Sequence, residues 1–148
     1  MLTCSKLYTD FPFAHRAPNH SGHCALIHGH NWSFEISFSA TERDENGFVI
    51  DFGKLKDLKA ELDAHFDHTL VLNKTDPMLA DIANFTRERE IYNVVAVDDC
   101  SCEGIAKLVW LLANEYAAHS TDGRVRVRKV IVFEDSKNSA CFAPVVPL

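Results

Sequence analysis

The chain has 148 residues, which suits one domain (1–148) around a single hydrophobic core, and its 47% hydrophobic and 24% charged residues are typical of a globular protein. Its net charge of −6 argues against a nucleic-acid partner, because binding a phosphate backbone normally requires a basic surface. No apolar run is long enough for a membrane span, and no signal peptide is recognisable. We therefore expect a cytoplasmic protein whose five cysteines are reduced.

Histidines are concentrated near the N-terminus, where five of the eight lie between residues 15 and 30. His28 and His30 are two residues apart at the start of a predicted strand, so their side chains point to the same, buried face. Two imidazoles on a core face are costly unless a partner uses their lone pairs, and zinc does this well. His15, in the apolar segment FPFAHR of a neighbouring strand, is the best third ligand. Three histidines leave a fourth position open, as in catalytic zinc sites.

The loop between these histidines contains Cys24, for which two interpretations stay open. As a fourth ligand, Cys24 would close the metal site and favour a structural role. As a thiolate beside the metal, it would act as a base or nucleophile. His20 and His23 in the same loop are expected to face solvent or substrate.

The next segments predict a strand, a hairpin and a helix. Residues 31–40 alternate strictly between apolar and polar side chains, which is typical of a half-buried antiparallel strand. The turn signal Asn46-Gly47, followed by apolar residues 48–50, predicts a hairpin. Residues 52–66 have apolar residues at helical spacing.

The second half of the chain predicts a short helix within residues 76–90, a longer helix after Ser101, and strands over 125–134 and 140–146. In the segment RVRVRK (124–129) arginines alternate with valines, which indicates a solvated strand face rather than an anion-binding surface. The resulting order of strands, helices and strands predicts an α+β fold with an antiparallel sheet.

Five motifs, in order along nearly the whole chain, resemble those of the 6-pyruvoyltetrahydropterin synthase and 6-carboxytetrahydropterin synthase family. The gap of three residues between Cys24 and His28 is that of the bacterial carboxytetrahydropterin synthases, whereas the animal pyruvoyl enzymes generally have a longer one. The motifs are FPFAHR (11–16), CALIHGHNW (24–32), GFVIDFGKLK (47–56), FDHTLVLN (66–73) and VIVFEDSKNSACF (130–142).

The resemblance implies a role for nine residues. It implies Zn²⁺ on His15, His28 and His30, Cys24 as the catalytic cysteine, Asp67 and His68 as a catalytic acid–base pair, Glu134 as the pterin anchor, and Ser101 and Glu103 as substrate-binding residues.

Three departures from the family pattern bear on the shape of the pterin pocket. The segment CSCEG (100–104) replaces P-T-[AS]-E-N, Asp135 replaces a threonine, and residues 74–98 are interpreted as an insertion. The two thiols of CSCEG also permit a second, soft-metal site, but a helix start is the better interpretation.

The resemblance further implies the tunnelling fold, an antiparallel four-stranded sheet with two helices on one face. It implies a homo-hexamer, a dimer of trimers with active sites between subunits. The implied reaction converts 7,8-dihydroneopterin triphosphate to 6-carboxytetrahydropterin, acetaldehyde and triphosphate in queuosine (7-deazaguanine) biosynthesis. The alternative is the 6-pyruvoyl product, formed without carbon–carbon cleavage. A second alternative is a non-catalytic, zinc-stabilised binding module.

Overall fold

The computed structural model describes residues 1–145, which form one six-stranded sheet and three α-helices. Within that range no helix combines the length and the apolar character that crossing a membrane requires. The strands are β1 (Leu2–His15), β2 (His28–Ala40), β3 (Thr69–Asn73), β4 (Asn93–Val97), β5 (Arg126–Phe133) and β6 (Ser139–Phe142), and the helices are α1 (Lys56–Phe66), α2 (Leu79–Arg89) and α3 (Cys102–Ser120).

The strand order is β4-β3-β1-β2-β5-β6, and the sheet is mixed. Strands β1, β2, β5 and β6 pair antiparallel, whereas β3 pairs parallel with β1 and with β4. The α+β class is confirmed, but the predicted sheet was wrong, because it has six strands rather than four and is mixed rather than purely antiparallel. The unpredicted strands β3 and β4 have five residues each, and so short an apolar run carries no clear period of its own.

The predicted hairpin at Asn46-Gly47 was also wrong. Both edges of β2 are already paired, with β1 and with β5, so residues 48–50 find no free edge beside it. The segment instead forms an irregular loop, in which the Asp44 carboxylate accepts hydrogen bonds from the backbone N–H groups of Asn46 and Phe48. These hydrogen bonds explain why Asn46-Gly47 forms a turn although no strand follows it.

The predicted helices are confirmed, and α1 and α3 pack on the sheet face that carries Trp32. A 3-10 turn (Phe52–Leu55) precedes α1, and the Ser101 hydroxyl caps α3 by accepting from the Gly104 N–H at 3.0 Å. Helix α2 lies beside β4 and has no buried residue.

The two predicted C-terminal strands are present as β5 and β6. In β5 the exposed Arg126 and Arg128 flank the buried Val127, which confirms the solvated face of the basic segment. The last predicted strand extended to Val146, which lies outside the described residues.

Candidate metal centre and active-site cleft

A β-bulge in β1 decides which sheet face carries His15. The pairing with β2 shifts by one residue between Tyr8 and Phe11, and Asp10 there has a left-handed φ of 67°. One inserted residue reverses the faces of all later side chains, so Tyr8 and Phe11 are both buried. His15 therefore lies on the core side of the sheet, directly paired with His28.

Four side chains converge where β1, β2 and β5 meet, and their ligand atoms all lie within 4.8 Å of one another. They are His15, His28, His30 and Glu134, which we call the histidine–glutamate cluster. The ring centroids of His15 and His28 are 4.7 Å apart, and those of His28 and His30 are 5.1 Å apart. Glu134 follows the last residue of β5, which places its Oε1 2.9 Å from His30 Nε2.

The hydrogen bonds of the imidazoles leave lone pairs for a metal. Nδ1 of His15 donates to the Cys100 carbonyl and Nδ1 of His28 to the Leu26 carbonyl, both at 2.7 Å. Because a carbonyl only accepts, Nδ1 carries the proton and Nε2 of each neutral ring keeps its lone pair. Nε2 of His15 and of His30 is buried without a hydrogen-bond partner in residues 1–145, although Glu134 lies within ion-pair distance of His30.

Burial lowers the pKa of His15, although the Cys100 carbonyl opposes the shift, so this imidazole is neutral at neutral pH. Neutral histidines whose other ring nitrogen donates to the backbone are the usual metal ligands of proteins. The histidine–glutamate cluster is therefore suited to hold a metal ion.

Cys24 lies beside the histidine–glutamate cluster but outside it. It is exposed, on a 3-10 turn (His23–Ala25), and it lines a cleft of about 620 Å³ together with His15, His28 and Glu134. Within residues 1–145, the group whose ligand atoms lie close enough to share a metal ion consists of the three histidines and Glu134, and it does not include Cys24. This geometry matches a thiol adjacent to the metal site, not a fourth ligand. His20 also lines this cleft.

The start of α3 also lines the cleft. Ser101 and Glu103 both line it, with the Ser101 hydroxyl committed to its capping bond. Burial and the nearby carboxylates of Glu134 and Glu103 raise the pKa of Cys102 to about 11. Cys102 and Cys100 donate their S–H groups to backbone carbonyls, at 3.7 and 3.2 Å. Both thiols are thus hydrogen-bonded to the backbone at the start of α3, which fits the helix-start interpretation of CSCEG.

Asp67 and His68 do not line this cleft. They form a pair, with His68 Nδ1 2.6 Å from Asp67 Oδ1, at the end of α1, and 81% of the His68 side chain is exposed. His68 has a left-handed φ of 55°, and it lines a separate cleft with Arg87 and Tyr92 of the predicted insertion. The structure thus brings together seven of the nine predicted residues and leaves these two apart.

The cleft also contains residues that the sequence analysis did not single out, notably Arg16, Asn73 and Lys137. Arg16 and Asn73 are the last residues of FPFAHR and FDHTLVLN, so the motifs carried a signal for them. Asp135, which replaces a threonine, accepts from the N–H groups of Lys137 and Asn138. Its carboxylate therefore shapes the turn after β5.

Comparison with known proteins places these features in a family. Residues 4–144 match the family model described as 6-pyruvoyl tetrahydropterin synthase. The 6-carboxy-5,6,7,8-tetrahydropterin synthase of Rickettsia typhi is 38% identical over 94 residues, which cover 62% of this chain and 67% of the relative.

Two solved structures share the fold at lower sequence identity. An uncharacterized protein from Wolinella succinogenes has a TM-score of 0.78 at 21% identity, covering 97% of this chain and 99% of that one. A 6-pyruvoyltetrahydropterin synthase mutant from Plasmodium vivax has a TM-score of 0.68 at 20% identity, covering 99% of this chain and all of that one. The resemblance inferred from the motifs is confirmed: the chain belongs to the 6-pyruvoyl tetrahydropterin synthase family.

Proposed function

We propose that this chain is a zinc-dependent 6-carboxy-5,6,7,8-tetrahydropterin synthase. The substrate is 7,8-dihydroneopterin triphosphate, and the products are 6-carboxytetrahydropterin, acetaldehyde and triphosphate, in queuosine biosynthesis. The observation that carries the proposal is a set of three convergent imidazoles, two of which, His15 and His28, line one cleft together with the exposed thiol of Cys24. The name of the Rickettsia relative and the short gap between Cys24 and His28 support the carboxy branch.

Zinc suits the site because imidazole nitrogens and a carboxylate oxygen are ligands that it favours. His15, His28 and His30 would hold the ion. When bound, zinc would supply Lewis-acid polarisation of the substrate's side-chain oxygens.

The residues around the metal site have separate roles in this proposal. Cys24 acts as a thiolate base that removes a carbon-bound proton next to the pterin ring. The Asp67 carboxylate orients His68, which acts as the acid–base group opposing Cys24. Since this pair lies outside the cleft of its own chain, we propose that it serves the cleft of another subunit in a hexamer of two trimers. Ser101 and Glu103 line the substrate's side of the cleft.

Glu134 has two candidate roles, both consistent with its contact to His30. As the pterin anchor, its carboxylate accepts a pair of hydrogen bonds from the amino-pyrimidinone edge. As a fourth metal ligand it would close the site, which favours a structural metal. We propose the anchor role, because an exposed thiol in the same cleft has no purpose beside a closed structural site.

The decisive experiment is product analysis after incubation of the zinc-loaded protein with 7,8-dihydroneopterin triphosphate. Acetaldehyde and a 6-carboxy pterin are expected, with both lost in Cys24→Ala and retained in Cys141→Ala, whose cysteine is exposed in β6 outside the cleft. A 6-pyruvoyl product would move the chain to the other branch of the family. The absence of turnover would favour the zinc-stabilised binding module.

Glu134→Gln distinguishes the two roles of this residue. An anchor predicts a higher KM with unchanged zinc affinity, because the amide loses only the charge-assisted bonds to substrate. A fourth ligand predicts weaker zinc binding in the absence of substrate.

A further inference from the structure

The His15 imidazole is held by hydrogen bonds that begin outside the histidine–glutamate cluster. Its Nδ1–H donates to the Cys100 carbonyl at 2.7 Å, and the N–H of Cys100 donates to Asn73 Oδ1, also at 2.7 Å. One residue, Cys100, is thus held at both its N–H and its C=O. The Asn73 side chain thereby helps to set where the His15 ring points.

A second set of contacts closes this series of hydrogen bonds into a ring. The Cys100 S–H donates to the Arg16 carbonyl at 3.2 Å, and the Arg16 guanidinium donates to both Asp76 oxygens, at 2.8 and 3.3 Å. The N–H of Asp76 donates to the Asn73 carbonyl at 2.9 Å. The ring ties together the ends of β1 and β3 and the residue two positions before α3.

The Asp76 carboxylate is fully removed from water, with 0% side-chain exposure. A buried carboxylate is costly unless it is paired and hydrogen-bonded, and here Arg16 and the Met78 N–H satisfy it. A buried ion pair adds little net stability, but it fixes geometry. The geometry fixed here is that of the residue directly after His15.

We infer that Asn73 and Asp76 are positioning residues for the metal site, acting on His15 through Cys100 and Arg16. The inference rests on the metal site of the proposed function. Loss of an outer-shell partner of a ligating histidine typically weakens metal affinity about 10- to 100-fold. The partner that contacts His15 is the Cys100 carbonyl, and Asn73 acts one hydrogen bond further out. We therefore expect a loss of Zn²⁺ affinity at the lower end of that range, about tenfold, when the Asn73 acceptor is removed. A smaller loss is expected when the Asp76 charge is removed.

The test compares Asn73→Leu, which removes the acceptor at similar size, with Asn73→Asp, which keeps Oδ1. Lys74→Ala is the matched control, because it removes only the neighbouring exposed ion pair with Asp98. Zn²⁺ affinity is measured by competition with a chromophoric chelator, the Co²⁺ absorption spectrum reports ligand geometry, and circular dichroism of the metal-free proteins reports folding. Asp76→Asn, which preserves shape, is a second variant should Asn73→Leu not fold.

The expected result is weaker Zn²⁺ binding and an altered Co²⁺ spectrum in Asn73→Leu, recovery in Asn73→Asp, and no change in Lys74→Ala. Wild-type affinity in both Asn73→Leu and Asp76→Asn would overturn the inference while leaving the proposed function intact. An equal loss of Zn²⁺ affinity in Asn73→Leu and Asn73→Asp would overturn it too, because the loss would then not depend on the hydrogen-bond acceptor at residue 73. A wild-type chain that binds no Zn²⁺ would overturn both.

Discussion

The histidine–glutamate cluster and the Asp67–His68 pair are two groups of polar side chains built in opposite ways. The cluster is assembled by strand pairing, lies in a cleft, and contains buried nitrogen atoms without hydrogen-bond partners among residues 1–145. The pair is held by one bond between adjacent residues and is largely exposed. One chain by itself thus brings together a group of side chains that could hold a metal ion, whereas the acid–base chemistry that we propose requires a second chain.

The largest effect is expected from His28→Ala, which removes a member of the cluster. Zinc affinity should fall by more than the roughly 10- to 100-fold that loss of an outer partner costs, and turnover should be abolished. A chelator competition assay and a product assay measure the two quantities. His65→Ala is the control, because the His65 ring bonds within its own helix to the Glu61 carbonyl. Unchanged zinc affinity in His28→Ala would contradict the metal site.

His68→Gln tests the Asp67–His68 pair. Turnover should fall about 10²- to 10⁴-fold, as for loss of a general acid–base group, while zinc affinity stays at the wild-type value. If the pair serves another subunit, mixing and reassembling His68→Gln with Cys24→Ala should raise activity well above that of either variant alone. A reassembled mixture that stays inactive would place the pair's action within its own chain.

Gly104→Ala probes, through steric contact, the first turn of α3, whose preceding residues line the cleft. A Cβ at this position would clash with the Asp99 carbonyl oxygen, so α3 or the residues before it must shift. Such overpacking should lower the free energy of unfolding by about 1–3 kcal/mol, measured by urea denaturation. The exposed Lys107→Ala on the same helix should stay within about 0.5 kcal/mol. Equal stability of the two variants would contradict the close contact.

The thiols of the cleft should differ in their response to pH. The pKa of Cys102 is about 11, so its thiolate is about one part in a thousand at pH 8. Because the thiolate is the nucleophile, alkylation of Cys102 by iodoacetamide should rise about tenfold per pH unit between pH 8 and 10. Mass spectrometry of the labelled peptides measures the rate. Labelling of Cys102 at pH 8 as fast as that of the exposed Cys24 would contradict this protonation state.

Local patterns predicted much of the fold and the cleft. The alternation in β2 and the helical spacing in α1 and α3 are properties of consecutive residues, so a sequence reveals them directly. The same alternation placed His28 and His30 on one face, and the apolar segment around His15 correctly indicated a strand beside them. Strand β3 was missed because its five residues are defined by pairing with its neighbours.

The sequence by itself determined the chain's family, its α+β class and the common face of His28 and His30, because motifs and side-chain alternation are local. Only the tertiary structure decided the bulge that brings His15 to that face and the arrival of Glu134 rather than Cys24 in the cluster. It alone also separated the Asp67–His68 pair from the cleft. The physical reason is that register and strand order depend on which edges are free once other strands have paired, and no short stretch of sequence contains that information.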